Sequence, residues 1–248
     1  MRMFLVFILF YYTQTTVAAE SLILPFSATY HVYAKGLHIG TGIRRLEQLE
    51  NETYLFSSES ETAGFFSLFR KDKIVESSRF TYTKGQIKPL EYNYHHTGGK
   101  KERHQIILFH WDENIAIGIK QDEPWEIPLN IDYLDKMSYQ LAVMQALKQE
   151  NHPLSYKIID NGKIKQYQPK LASTDVLKTK LGLLEAVRFE RISADGERKT
   201  TLWCAPTLQY LPVKVEHEEK GDTLRFELVE LEGLDEPNSA DDIEDAGQ

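Results

Sequence analysis

Along most of this chain apolar residues alternate with polar ones. In Phe26-Ser27-Ala28-Thr29-Tyr30-His31-Val32 every second side chain is apolar, which puts those side chains on one face of an extended strand. Lys35-Gly36 breaks the run, and Leu37, Ile39, Thr41 and Ile43 resume it. Glu50-Asn51-Glu52 turns into Tyr54, Phe56 and Ser58. The same rhythm runs from Ile74 to Tyr82, turns at Lys84-Gly85 and continues from Ile87 to Tyr94. Gly98-Gly99 separates that strand from His104 to Trp111, and Asp112-Glu113-Asn114 leads into Ile115 to Ile119. Three hairpins follow Leu154. Asp160-Asn161-Gly162-Lys163 joins Tyr156–Ile159 to Ile164–Tyr167. Ala194-Asp195-Gly196-Glu197 joins Val187–Ile192 to Lys199–Trp203, and Lys220-Gly221-Asp222 joins Val213–His217 to Leu224–Leu231. Short strands linked by Gly, Asn and Asp turns predict antiparallel β structure.

One segment changes period. Leu134, Met137, Leu141, Met144 and Leu147 recur at spacings of three and four, which predicts a helix from Leu134 to Lys148. Asp132 takes the N-cap place, Asp135 stands where a capping-box acid belongs, and Asn151 and Pro153 stop the helix. A single amphipathic helix among strands must cover its apolar stripe on a sheet face or plug a barrel mouth. The fold class is therefore mainly β: a large curved antiparallel sheet or open barrel with one long amphipathic helix packed on it.

Two segments keep neither period. Gly64-Phe65-Phe66-Ser67-Leu68-Phe69 crowds four large apolar side chains between two strands. Phe65, Phe66, Leu68 and Phe69 make either a lid over a cavity, a patch for a partner or membrane, or a short buried piece of core. Trp125, in Glu123-Pro124-Trp125-Glu126-Ile127-Pro128, either lines a pocket mouth or anchors the segment leading into the helix. These five residues are the candidate ligand-binding set.

The ends add a compartment. Met1-Arg2, the apolar run Phe4 to Tyr12 and the small-residue exit Val17-Ala18-Ala19 form a secretory signal peptide over residues 1–19, with cleavage after Ala19. The run falls short of the roughly 20 apolar residues that span a bilayer. A single β-rich domain over residues 20–233 follows, then an acidic tail over 234–248 too poor in apolar residues to order itself. Composition narrows the partners. A net charge of −8 gives no affinity for a phosphate backbone, so nucleic acid is not expected. Cys204 is the single cysteine, which rules out an internal disulfide. It is either a small buried hydrophobe in Leu202-Trp203-Cys204-Ala205-Pro206 or a reactive thiol.

Several stretches together resemble a known family. They are Phe26-x-Ala28-x-Tyr30 followed by Gly36 and Gly40, Pro89-Leu90-x-Tyr92-x-Tyr94, Phe109-x-Trp111-Asp112, Asp135-x-x-Ser138-Tyr139-Gln140-Leu141, Asp160-Asn161-Gly162-Lys163, Trp203-x-Ala205-Pro206 and Tyr210-Leu211-Pro212-Val213-Lys214-Val215. From about Pro25 to Glu232 the chain is similar to a Gram-negative family of exported proteins known only as a domain of unknown function. The resemblance implies a periplasmic location and a curved antiparallel β fold, of the class of the lipoprotein-carrier half-barrels that hold acyl chains in a concave sheet. It implies no catalytic residues.

The chemistry-bearing residues make no familiar constellation. There are eight histidines, but His95 and His96 are adjacent and point to opposite faces of a strand, so with His104 and His110 they do not make the short fixed spacing of a zinc site. Ser138 follows Asp135 by one turn with no histidine nearby, which suits helix packing better than nucleophilic catalysis. No metal, cofactor or catalytic residue is expected. The leading function is a soluble periplasmic binding or carrier protein for a hydrophobic envelope ligand, a lipid or acylated molecule. The alternative is an envelope module that holds a protein or glycan, and a hydrolase ranks third.

Overall fold

The computed structural model describes residues 24–50, 52–68, 71–150 and 154–234. The expected signal peptide and all of the acidic tail beyond Leu234 lie outside the described residues. Two antiparallel meanders build the main sheet. The first runs β1 (Phe26–Ala34), β2 (Leu37–Gln48), β3 (Thr53–Thr62), β4 (Lys73–Thr83), β5 (Gln86–Thr97), β6 (Arg103–His110), β7 (Ile115–Lys120) and β8 (Glu123–Pro128). Between the meanders come β9 (Tyr133–Leu134), α1 (Ser138–Lys148), β10 (Tyr156–Asp160) and β11 (Lys163–Tyr167). The second meander is β12 (Lys170–Thr179), β13 (Gly182–Ile192), β14 (Arg198–Ala205), β15 (Leu211–Glu219) and β16 (Asp222–Glu232).

The two meanders join where β1 pairs with β16, with Tyr30 opposite Leu228 and Val32 opposite Phe226. The result is one 13-stranded sheet whose order runs β12 to β16, then β1 to β8. Its end strands β8 and β12 do not pair with each other, so the sheet stays open. β9, β10 and β11 form a small second sheet. The alternation read from the sequence matches burial. In β1 Phe26, Ala28, Tyr30 and Val32 are buried while the residues between them are not. The β10–β11 hairpin turns on Asn161-Gly162, both at positive φ (54° and 68°), as a two-residue turn matched to strand twist requires.

The sheet folds round α1. Arg44 of β2 donates to Gln140 Oε1 at 2.9 Å, and Gln145 Nε2 donates to the Tyr82 hydroxyl and the Gly85 carbonyl, both at 2.8 Å. The Tyr139 ring meets the rings of Tyr156 and Tyr167 edge-on. Hence Tyr139, Val143 and Gln145 are buried along with Leu141 and Leu147. The buried face is wider than the stripe of spacings three and four, because the helix has sheet on several sides.

The helix also starts later than its periodicity suggests. Leu134 belongs to β9, where it pairs in parallel with Ile158, so its backbone is extended. Asp132 pairs with Lys157 Nζ at 2.9 Å and caps nothing. Asp135 does the capping: its Oδ1 accepts from the N–H groups of Met137 (2.7 Å) and Ser138 (2.9 Å), while its own N–H donates to Ser138 Oγ (3.0 Å). This is the reciprocal bonding of a capping box, three residues further on than expected.

The packed domain extends through Leu234, which is buried although the composition puts it with the tail. Cys204 is fully buried and its thiol is pushed up to about 12 by that burial, so it is a core side chain. Among the described residues no helix is long and apolar enough to cross a membrane.

Candidate functional site

The concave face of the sheet changes character along the strands. Side chains two apart share a face. In β6 Phe109 and Ile107 are buried in the core, then Gln105 and Arg103 follow on the same face. Register carries the change across the sheet. Gln105 lies opposite Tyr94 of β5 and Lys120 of β7. On the second meander Phe189 lies opposite Leu202, and two residues on Arg191 lies opposite Thr200, which lies opposite His217. One end of the concave face is thus apolar and filled by α1. The other end holds a polar cleft of about 1030 Å³, bounded by β5 to β7 on one side, β13 to β15 on the other and the β10–β11 hairpin between them. At the far end of α1 the opening among Leu24, Phe26, Leu141, Met144 and Leu234 holds about 20 Å³, room for a single water.

The floor of the cleft is a network of charges. Lys136, just before α1, lies 3.4 Å from Glu76 and 3.8 Å from Asp160. Asp160 is also bound by Lys165. The Tyr92 hydroxyl donates to Glu76 Oε1. With its amide oriented to suit both neighbours, Gln105 donates to Asp160 and accepts from the Asn161 N–H. Burial opposes the charge on Lys136, but Glu76 and Asp160 outweigh it and hold the ammonium above its ordinary range. Burial and the Glu76 carboxylate together push the Tyr92 phenol far up, so it stays a donor.

The opposite wall is built round Arg191. Its guanidinium lies over the Tyr167 ring, 4.0 Å from the centroid, and donates to Thr200 Oγ1 at 3.1 Å. Thr200 in turn contacts His217 Nδ1 at 3.1 Å. Burial lowers the His217 pKa and Arg191 and Arg198 add to that, against Glu219, so its ring is neutral at pH 7.

Of the two candidate ligand-binding residues whose side chains are described, Leu68 and Trp125, only Trp125 comes near this cleft, and from behind the hairpin. Trp125 lies in β8 opposite Gly118. Its ring crosses the space a side chain there would fill: a Cβ on Gly118 would stand 2.2 Å from the Trp125 ring. The same ring packs on Gly162, in the turn that carries Asn161 and Lys163 into the cleft. Its Nε1 is buried without a partner among the described residues. Trp125 therefore supports the hairpin. Leu68 ends a 3₁₀ turn, Gly64–Leu68, is 75% exposed and does not line the cleft. Phe69 and the side chains of Phe65 and Phe66 lie outside the described residues. Ser138 is buried and bonded to Asp135, whose Oδ2 accepts from Ser78 Oγ at 2.7 Å. His95, His96 and His104 each face a separate carboxylate: Glu102, Asp72 and Asp122.

The cleft residues were missed because each sits in an ordinary alternating strand. The one sequence signal is positional: cations occupy slots that continue an apolar series, Arg103 after Ile107 and Gln105, and Arg191 after Phe189. Recognising it requires the register.

The profile of a family described as "Protein of unknown function (DUF3108)" matches residues 29–229. Among curated proteins none matches. Among solved structures, the chain is similar to a beta-barrel-like protein of a domain of unknown function, DUF1849, from Brucella abortus. The TM-score is 0.57 at 8% identity, over 86% of this chain and 98% of that one. That likeness is one of fold.

Proposed function

The chain belongs to the DUF3108 family of proteins of unknown function, and for it we propose a non-enzymatic role: an exported, periplasmic binding or carrier protein for an envelope molecule, with the cleft between the two meanders as its ligand site. One observation carries this reading. A cleft of about 1030 Å³ is left open by the same sheet whose other end packs on α1, where the openings are no larger than about 250 Å³, and its size suits a ligand of several hundred daltons. Tyr94, Tyr167 and Ile164 line it and supply apolar surface for the carbon part of a lipid or acylated ligand. Removing each methylene from water is worth about 0.8 kcal/mol. An acyl chain would lie along these side chains, since the openings beside α1 are several times smaller. The seryl and carboxyl groups of Ser78, Asp135 and Ser138 are fully buried and bonded to one another, which speaks against their use in hydrolysis.

The test is protein purified from the periplasm under mild lysis, followed by mass spectrometry of what co-elutes. The reading expects an N-terminus at Glu20 and a stoichiometric envelope molecule. A full-length N-terminus, or protein that neither arrives with a ligand nor takes one up from an envelope extract, overturns it.

A second reading has its own observation. On the outer face Ile106 pairs across from Ile119 and Leu108 from Ile117, and the three isoleucines are exposed. An apolar cross-strand patch of this kind suits a protein partner. Loss of an in-cell cross-link on Ile106→Lys and Ile119→Lys would favour that reading.

A further inference from the structure

We propose that the group recognised in the cleft is a compact polyanion of the phosphate type, carrying two or more phosphate charges; the proposal rests on the reading of the cleft as a ligand site. The chain as a whole is acidic, at −8. The cleft is the reverse: eight lysines and arginines line it against two carboxylates, Asp160 and Asp195. Asp160 is already shared by Lys136 and Lys165, and Asp195 faces Arg198. Lys101, Arg103, Lys120, Lys163 and Arg191 have no carboxylate within ion-pair distance among the described residues. Like charges gathered in one concavity repel one another and raise the local field. A folded protein carries that cost without return unless an anion enters.

The placement is as specific as the sign. Arg103, Lys120 and Arg191 sit on the concave face of three strands drawn from both meanders, in register with Gln105 and Thr200. They converge on one space, whereas lysines on outer faces diverge into solvent. Arg191 is held in place by the Tyr167 ring and Thr200 and keeps further N–H donors free, which suits bidentate binding of an oxyanion. The charge density favours phosphate over carboxylate. A phosphate monoester carries about −1.5 to −2 and a carboxylate −1. Glu76 and Glu219 also face Lys136 and Arg198, which leaves four excess positive charges; two or three phosphates balance them within the cleft, where four carboxylates need a larger ligand. Two sources share this chemistry: the headgroup of a phosphorylated lipid and a soluble phosphate ester or polyphosphate.

The test uses the mature chain with Gln166→Cys labelled by an environment-sensitive fluorophore. Gln166 lines the cleft, and the native Cys204 is too buried to label. Three probes are titrated: inorganic tripolyphosphate, phosphatidylcholine vesicles with about a fifth phosphatidic acid, and pure phosphatidylcholine vesicles. The expected result is a saturable response to at least one anionic probe, weakening steeply as salt rises, and at least about tenfold weaker in Arg103→Gln/Lys120→Gln and in Arg191→Gln. Circular dichroism melts confirm that the variants fold. Response to tripolyphosphate assigns a soluble phosphate; response to anionic vesicles alone assigns a lipid headgroup. An equal response to both vesicle preparations with none to tripolyphosphate keeps the ligand cleft and overturns the polyanion. An anion response unchanged in both variants overturns the cleft assignment of the charge, and silence with all three probes overturns the polyanion.

Discussion

The two ends of the concave face are made by the same strands and differ in almost everything else. On β13 Phe189 is 1% exposed and packed in the core, and Arg191, two residues and about 7 Å further along the strand, looks into an open cleft. On β6 Ile107 and Arg103 make the same contrast. Backbone pairing is continuous through both ends, so the ladder does not distinguish them. What differs is the side chain in each inward slot. At the packed end α1 supplies the second layer that a sheet face needs. At the wet end α1 does not reach and only the β10–β11 hairpin meets the sheet, and polar side chains and cations replace the apolar ones. On the proposed function, stability and recognition are divided along the strand axis, and substitutions at the two ends should behave as different kinds of experiment.

The largest effect belongs to the packed end. Leu141→Ala removes a side chain that is 1% exposed between sheet and helix and should cost about 2–5 kcal/mol in denaturant melts. A loss near 0.5 kcal/mol would mean that α1 is not the second layer. Next comes Asp135, fully buried beneath the first turn of α1. Burial raises its pKa from 3.8 to about 6, in spite of the hydrogen bonds from Ser78, Ser138 and Met137 that lower it. The folded state therefore binds the proton more tightly than the unfolded chain. This carboxyl costs stability as pH rises from about 4 through 6, on the order of 3 kcal/mol when fully ionised. Asp135→Asn keeps the cap acceptor and removes the charge. Its stability relative to the wild type should improve between pH 4 and pH 7, and a flat difference across that range would refute the assignment.

Gly118→Ala probes the boundary between the ends. The new Cβ would press on the Trp125 ring and on the Ile106 carbonyl at 2.5 Å. Overpacking of this kind costs about 1–3 kcal/mol. Because the same ring backs Gly162, the substitution should also weaken whatever the cleft binds. A destabilised variant with undisturbed binding would show that Trp125 does not set the hairpin.

The sequence carried the architecture unevenly, and the pattern of success has a physical cause. Central strands such as β1 and β5 face the core on one side only, so their alternation is plain. The end strands β8 and β12 were not recognised. β8 is bracketed by Pro124 and Pro128, which suit an edge and mask a strand. In β12 no residue is fully buried, so no apolar face stands out. Helix periodicity located α1 but not its start, because Tyr133-Leu134 pair with β10, a contact that lies far along the chain. The candidate site was the least legible part. Large apolar residues outside the alternation, Leu68 and Trp125 among them, stand out in the sequence, whereas the cleft is lined by cations inside it. Alternation tells which residues share a face. It does not tell how far along that face the helix reaches, and that length decides whether an inward lysine is buried, absent or part of a site.

The smallest expected effect is the sharpest test of the division. Lys120 and Lys163 line the cleft and are exposed, with no carboxylate partner among the described residues. Truncating them removes little buried surface and no ion pair, so Lys120→Ala and Lys163→Ala should each change stability by no more than about 0.5 kcal/mol. The sign should favour the variants, since each loses repulsion from the remaining cations. Salt sharpens the measurement: screening weakens the same repulsion, so the wild type should gain more stability than the double variant between 50 mM and 500 mM sodium chloride. Urea melts of the four proteins at both salt concentrations read this directly. A loss of more than about 1 kcal/mol on either truncation would mean that the cation is part of the packing. The wet end would then be a continuation of the core, with its charge serving the fold.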